Sequence, residues 1–481
     1  MHPSEKHQRT KILVSFAVLA AMLAGLFNTF SSALEQSAVP AVSLWWAAPF
    51  VLLLTSIAVV PFVNRLWWDK NYWMTSLGLG ILVVGSYGLL LGGGARLLRT
   101  SYEYISFISL IGSLFVVAGG IHIHIRGKAS PWENVMYLAT GAVLSNLLGT
   151  TGASMVLIRP YLRTNKYRFR GYHLAFFIFL VGNIGGALTP IGDPPLFLGY
   201  LKGVPFLWVL SNVSEIWVLT VSLVLLLFFM IDYFFYRRES AKVQSVAAEI
   251  DEPQVLGIHN VFFLFIILGS VFIQKPLLLR EIVMWGAALG SFYTTGEEIH
   301  HKNQFTFHPI KEVAVLFAGI FATMIPALDW LDLHAASLSI VTPGQYFWAT
   351  GVLSSVLDNA PTYLSFLTAS FGLHGASVDN LRHMQVMLGN VAPDSLGLPN
   401  PLHPGALAIT ASTWKYIQSV SVGAVFFGAM TYIGNGPNFM IKAIAEHAGV
   451  DCPSFFGYIV KYSVPILIPV FLIVWWTFFR M

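Results

Sequence analysis

Long runs of unbroken apolar sequence constrain this chain more than any other feature. Residues 12–34, 44–63, 73–93, 104–124, 213–236, 259–274, 281–297, 312–328 and 457–479 are predominantly apolar. A helix needs about 20 such residues to cross the hydrocarbon of a bilayer. A soluble domain has nowhere to bury so many of these runs. The composition agrees: 56% of residues are hydrophobic, 10% are charged and the mean hydropathy is +0.69. An ordinary soluble domain is about 25% charged. A cytosolic enzyme, a nucleic-acid binder and a disordered scaffold are thereby excluded. The runs are continuous and do not alternate, so the expected class is an all-α polytopic membrane protein and not a β-barrel. A single cysteine, Cys452, excludes a disulfide framework and a Cys-based zinc site.

Four further apolar stretches, 132–158, 172–200, 344–370 and 417–441, are interrupted by Gly, Pro, Asn or Asp. Basic residues indicate how they lie, because cytoplasmic loops carry an excess of Lys and Arg. Lys6, Arg9 and Lys11 place the N-terminus in the cytoplasm if the first helix is retained. That helix also has a signal-like reading, with Ser31-Ser32-Ala33 as a loose cleavage site, although its apolar region exceeds the usual length. The cluster Arg159, Arg163, Lys166, Arg168 and Arg170 follows stretch 132–158, and Arg126 and Lys128 precede it. Both flanks stay inside if this stretch is a re-entrant hairpin. The same plan, upside down, makes 344–370 a hairpin entering from outside. The expectation is about 11 crossings in two inverted repeats, each with a re-entrant hairpin and a broken helix. The expected divisions are an extra N-terminal segment (1–43), a first repeat (44–236), a cytoplasmic linker (237–258) and a second repeat (259–481).

The two halves resemble each other at their interruptions. Leu144-Ser145-Asn146-Leu147-Leu148-Gly149-Thr150-Thr151 lies over Leu353-Ser354-Ser355-Val356-Leu357-Asp358-Asn359-Ala360. Thr189-Pro190-Ile191-Gly192-Asp193-Pro194-Pro195-Leu196-Phe197 lies over Thr431-Tyr432-Ile433-Gly434-Asn435-Gly436-Pro437-Asn438-Phe439. Inverted repeats with broken helices are the plan of secondary transporters. Non-helical backbone survives at membrane depth only inside protein or against a wet cavity. Asp, Asn and carbonyl oxygens there suit a hard cation. The candidate ion- or substrate-binding residues are Asp358, Asn359, Asn146, Ser145, Asp193, Asn183, Asn435, Asn438, Thr150 and Thr431. Asp358, Asn359 and Asn146 are the first choice for Na+. Gly149, Gly192, Pro194, Pro361, Gly434, Gly436 and Pro437 would permit the breaks.

Each assignment has a plainer structural counterpart. Asp358 could cap the hairpin's return arm, Asp193 lies in good turn chemistry, and the Asn side chains could satisfy interrupted backbone. Glu103, Asp232, Glu312, Asp329, Asp332 and His122 fall near the ends of spans, at the membrane surfaces. Lys415 is either a surface charge or a counter-charge for an empty site. An intramembrane protease is not expected: there is no His-Glu-x-x-His, and the aspartyl-protease pattern is incomplete. The chain is not expected to be an enzyme.

The runs Gly182-Asn183-Ile184-Gly185-Gly186-Ala187-Leu188-Thr189-Pro190-Ile191-Gly192-Asp193-Pro194-Pro195 and Gly428-Ala429-Met430-Thr431-Tyr432-Ile433-Gly434-Asn435-Gly436-Pro437-Asn438-Phe439 resemble the NhaD-type sodium/proton antiporters of the ion transporter (citrate transporter-like) superfamily. The resemblance runs from about residue 44 to the end. It implies exchange of Na+ (or Li+) for H+, with no cofactor beyond the transported ions. It also implies a scaffold and a mobile transport domain, elevator-like alternating access, a homodimer and residence in the inner membrane. The expected partners are therefore the lipid bilayer and small inorganic ions, and no nucleic acid. Dicarboxylate members carry Ser-Asn-Thr at both hairpin tips. Here the tips read Ser145-Asn146-Leu147 and Asp358-Asn359-Ala360. An acidic tip suits a cation, which favours the antiporter. The alternative is a Na+-coupled carboxylate symporter or an arsenite or oxyanion permease on the same fold.

Overall fold

The computed structural model describes residues 40–124, 129–240 and 254–480. The apolar run 12–34, with the question of its cleavage, lies outside them, as does most of the linker 237–258. The described residues are overwhelmingly helical, with two three-residue strands, His122–His124 and Gln254–Leu256. Eight helical stretches among them are long and apolar enough to cross a membrane by length and composition. Asn260–Ser270, with 11 residues, and Leu279–Thr294, with 16, are shorter pieces. The chain is an all-α polytopic membrane protein.

Two compact units emerge. Among the described residues, one comprises 40, 76–122 and 255–325; the other comprises 41–75, 123–124, 129–240, 254 and 326–480. Each unit therefore draws on both halves of the sequence. Two of the boundaries fall inside the helices Arg65–Leu90 and His308–His334, and two more inside the short strands.

In the first unit, Gly94–Gly119 is buried along most of its length. A Cβ on Gly112 would come within 2.9 Å of the Trp285 ring, so this glycine is what admits the indole. Trp285 Nε1 donates to Ser109 Oγ at 3.0 Å, and Phe107 stacks on Phe317 at 4.7 Å between ring centres. His122 lies just after the end of helix Gly94–Gly119. It is buried, its Nδ1 2.7 Å from Asn303 Oδ1, and Asn303 donates in turn to the Gly119 and Ile121 carbonyls.

The second unit contains both hairpins and both broken helices. Helices Leu44–Val63 and Phe206–Tyr236 expose apolar side chains such as Val51, Val63, Leu207 and Val218. Such faces are stable against lipid and unstable against water. Stretch Pro131–Thr164 reverses direction at Gly149, whose φ of 72° and ψ of 156° are nearly forbidden to other residues. The arms lie side by side: Tyr137 Oη donates to the Leu157 carbonyl at 2.8 Å, and Tyr137 stacks on Tyr161 at 5.4 Å. Twenty residues of continuous helix would separate such groups by about 30 Å. Helices Pro343–Val356 and Asn359–Leu373 form the second hairpin, with Tyr346 against Phe366 at 6.3 Å. Its first arm opens with a capping box in which Thr342 and Gln345 satisfy each other's backbone N–H.

Asp232 lies four residues before the end of helix Phe206–Tyr236. It is fully buried and accepts both terminal nitrogens of Arg168 at 2.6 Å, the Tyr172 hydroxyl at 2.7 Å and Asn134 Nδ2 at 3.2 Å. Asn134 and Asn165 exchange side-chain hydrogen bonds of 2.8 and 2.9 Å. This cluster ties the open end of the first hairpin to helix Phe206–Tyr236. Glu103 and Asp329 are buried as well.

Candidate functional site

The site forms where the four interrupted segments of the second unit meet. Helix Gly171–Leu180 ends, a short 3-10 turn spans Ile184–Leu188, and Pro194–Leu201 resumes. The second broken helix repeats this plan: Trp414–Phe427, a turn at Gly428–Met430, then Gly436–His447. Close backbone approach holds each break. A Cβ on Gly192 would fall 2.0 Å from the Gly186 carbonyl, and one on Gly434 would fall 2.7 Å from the Gly428 carbonyl. These two pairs occupy matching positions of the aligned halves.

Each break is stitched to its own hairpin in the same way. Thr189 Oγ1 donates to the Asn146 carbonyl at 2.7 Å, and Thr431 Oγ1 donates to the Ser355 carbonyl at 2.6 Å. Both threonine hydroxyls then accept a backbone N–H, from Gly192 and Gly434 respectively, at 3.1 Å. Asn146 and Ser355 are aligned in the repeat, as are Thr189 and Thr431. Ser145 donates to the Val181 carbonyl and Ser354 to the Ala424 carbonyl.

Asp193 stands at the centre, 1% exposed. Its Oδ1 accepts Thr150 Oγ1 at 2.7 Å and Asn435 Nδ2 at 2.9 Å, and its Oδ2 accepts Asn359 Nδ2 at 2.6 Å. One residue from each of the four segments is thus joined through one carboxylate. Asp193 and Asn435 are aligned in the repeat, and so are Thr150 and Asn359. Asp193 and Asn435 hold the N-cap positions of Pro194–Leu201 and Gly436–His447, yet neither side chain caps its helix. Both are turned inward, so turn and cap chemistry does not explain them. Among the described residues, no basic side chain bonds the Asp193 carboxylate.

Asn359 points its amide nitrogen at that carboxylate, which can only accept when ionised. Its own Oδ1 is buried with no partner among the described residues. Gly428 packs beside Asn183 and Asn359: a Cβ there would come within 2.9 Å of Asn183 Oδ1 and 3.3 Å of Asn359 Nδ2.

The other expected residues divide clearly. Asn183 and Asn438 adjoin the centre: Asn183 Nδ2 donates to Asn438 Oδ1 at 2.7 Å, and Asn183 Oδ1 accepts Asn435 at 3.1 Å. Asn438 also donates to the Gly428 and Thr431 carbonyls, so it satisfies the broken backbone. Asn146, a first choice for Na+, is spent on backbone: Nδ2 donates to the Gly185 carbonyl at 2.7 Å, and Oδ1 accepts the Leu188 N–H at 2.9 Å. Ser145 and Thr431 likewise stitch segments together. Asp358 caps Asn359–Leu373, its Oδ1 accepting the Ala360 N–H at 3.0 Å, and is only half-buried. Lys415 lies in the first turn of Trp414–Phe427 and is half-buried. Thr189 and Gly428 were not singled out from the sequence. The shared Thr-x-Ile-Gly pattern contained the signal for Thr189, since its partner Thr431 was named.

Helix N-termini carry partial positive charge. Two broken-helix restarts and two hairpin return arms begin at this site, so four such ends surround it. The Asp193 carboxylate therefore lies among helix dipoles, side-chain amides and a hydroxyl. Residues 39–479 match the family model described as "Putative citrate transport". No curated protein matches the chain significantly.

Proposed function

This chain belongs to the citrate-transport family that matches residues 39–479, and from that footing we propose that it exchanges Na+ (or Li+) for H+ by binding either at Asp193. One observation carries the reading: a fully buried carboxylate whose partners are all neutral. An ionised group at such depth is costly without a counter-charge. It therefore holds a proton or takes up a cation. Competition between the two at one carboxylate couples their fluxes with no other machinery. The unpartnered Asn359 Oδ1 and the Thr150 hydroxyl oxygen supply neutral oxygen ligands for a desolvated alkali ion. The site lies wholly within one compact unit. That favours elevator-like access, in which the site moves with its unit.

A second reading, cation-coupled symport of citrate, is favoured by the family's description and by the four helix N-termini, which attract carboxylates. Reconstituted proteoliposomes separate the two. Antiport predicts that Na+ or Li+, but not K+, collapses an imposed pH gradient without citrate. It also predicts that Asp193→Asn lowers this rate at least about tenfold, the effect of about 1.4 kcal/mol. Na+-dependent uptake of labelled citrate with no pH-gradient collapse would establish symport instead. Full activity in Asp193→Asn would overturn the role given to that residue.

A further inference from the structure

An open cavity that does not include Asp193 lies along the first arm of the second hairpin. It has a volume of about 660 Å³ and is lined by Trp348, Val352, Phe366, Trp475 and Phe479, with Arg480 at one end. That volume falls within the range of small-molecule sites, about 300–1,000 Å³. The walls are almost wholly apolar and the groove is open along one side. A polar substrate has nothing to bind along such a wall.

The polar end has a definite sign. Arg480 is exposed and stacks its guanidinium over the Trp476 ring at 3.5 Å. It forms no ion pair among the described residues. Helix Pro343–Val356 begins at the same end, with Thr342, Gly344 and Gln345 lining it. The helix is 14 residues long, and its N-terminus adds partial positive charge beside the guanidinium. Arg480, Trp475 and Trp476 are of the residue types enriched where a spanning helix meets the membrane surface. On a membrane-spanning helix, an apolar groove open along one side and closed by a cation at its end is complementary to an acyl chain with an anionic headgroup.

We propose that the groove between the first arm of the second hairpin and the C-terminal helix binds an anionic phospholipid, with one acyl chain along Trp348 and Val352 and its phosphate on Arg480. Guanidinium recognises phosphate through paired N–H donors. Because the groove is walled by the hairpin arm that leads to Asn359, occupancy braces that arm from outside.

Native mass spectrometry of the full chain, stripped of lipid and titrated with phosphatidylglycerol or phosphatidylethanolamine of equal chain length, tests this. The expected result is retention of one phosphatidylglycerol at several-fold lower concentration than phosphatidylethanolamine. Arg480→Gln should remove that preference while leaving some acyl binding. Val352→Trp, which fills the groove, should remove the retained lipid altogether. Equal retention of both lipids by the unmodified protein would overturn the proposal, whether or not either variant folds. So would lipid retention unchanged in a folded Val352→Trp protein, or a second copy of the chain covering Trp348 in a cross-linking experiment.

Discussion

Asp193 and Asp358 look alike in the sequence, each an acid at an interruption of an apolar run. Their side chains do different work. Asp193 leaves its own helix uncapped and gathers donors from three other segments. Asp358 spends an oxygen on the Ala360 N–H two residues on. Asn caps a helix about as well as Asp. Asp358→Asn should therefore keep most of the Na+-driven collapse of a pH gradient, while Asp193→Asn loses it; equal loss in both would return Asp358 to the ion site. The buried pair Arg168–Asp232 makes a separate residue-scale prediction. Removing Asp232 leaves a guanidinium in the interior with its bidentate partner gone. Breaking a buried pair in this way costs about 3–5 kcal/mol. Thermal unfolding of detergent-solubilised Asp232→Ala should show a clearly lowered midpoint, and an unchanged midpoint would show the cluster to be dispensable.

At the scale of elements, the molecule depends on turns that only certain residues can make. The first hairpin reverses at Gly149 with φ of 72° and ψ of 156°, a conformation that costs most other residues about 1–3 kcal/mol. Gly149→Ala should displace the tip, weaken the hydrogen bond from the Thr150 N–H to the Gly192 carbonyl and so loosen Thr150 from Asp193. The expected readout is a raised half-saturating Na+ concentration with expression maintained. Wild-type affinity in that variant would argue against the tip as part of the site. The second hairpin turns differently, through extended Leu357 and the Asp358 cap. The two tips are thus aligned in sequence but not identical in chemistry. That difference puts a hydroxyl, Thr150, and an amide, Asn359, on the two oxygens of one carboxylate.

At the scale of the whole molecule, the compact units cut across the sequence halves, since each takes segments from both. Neither half should fold alone. Fragments 1–245 and 246–481, divided in the linker, should yield stable protein only when co-expressed, as judged by copurification and thermal unfolding; a stable isolated half would refute this. Much of the architecture could be read from the chain. Apolar run length requires helices in a bilayer, because lipid offers unpaired backbone no partner. The interruptions, the basic residues flanking 132–158 and the repeated Thr-x-Ile-Gly pattern located both hairpins and both breaks. The site residues were named together with their neighbours, but their ranking was not legible. Asn146 looked as good an ion ligand as Asn359, and Asp358 looked better than Asp193. Local sequence states which residues can bind a cation or satisfy broken backbone, and the same side chains do both. Which task each performs depends on partners some forty to 250 positions away, as with Thr150, Asn359 and Asn435 around Asp193. The sequence alone determined that helices would span a membrane and where they would break. Only the tertiary structure decided which carboxylate would be left at the crossing point with neutral partners, because that depends on which four helix ends are packed together.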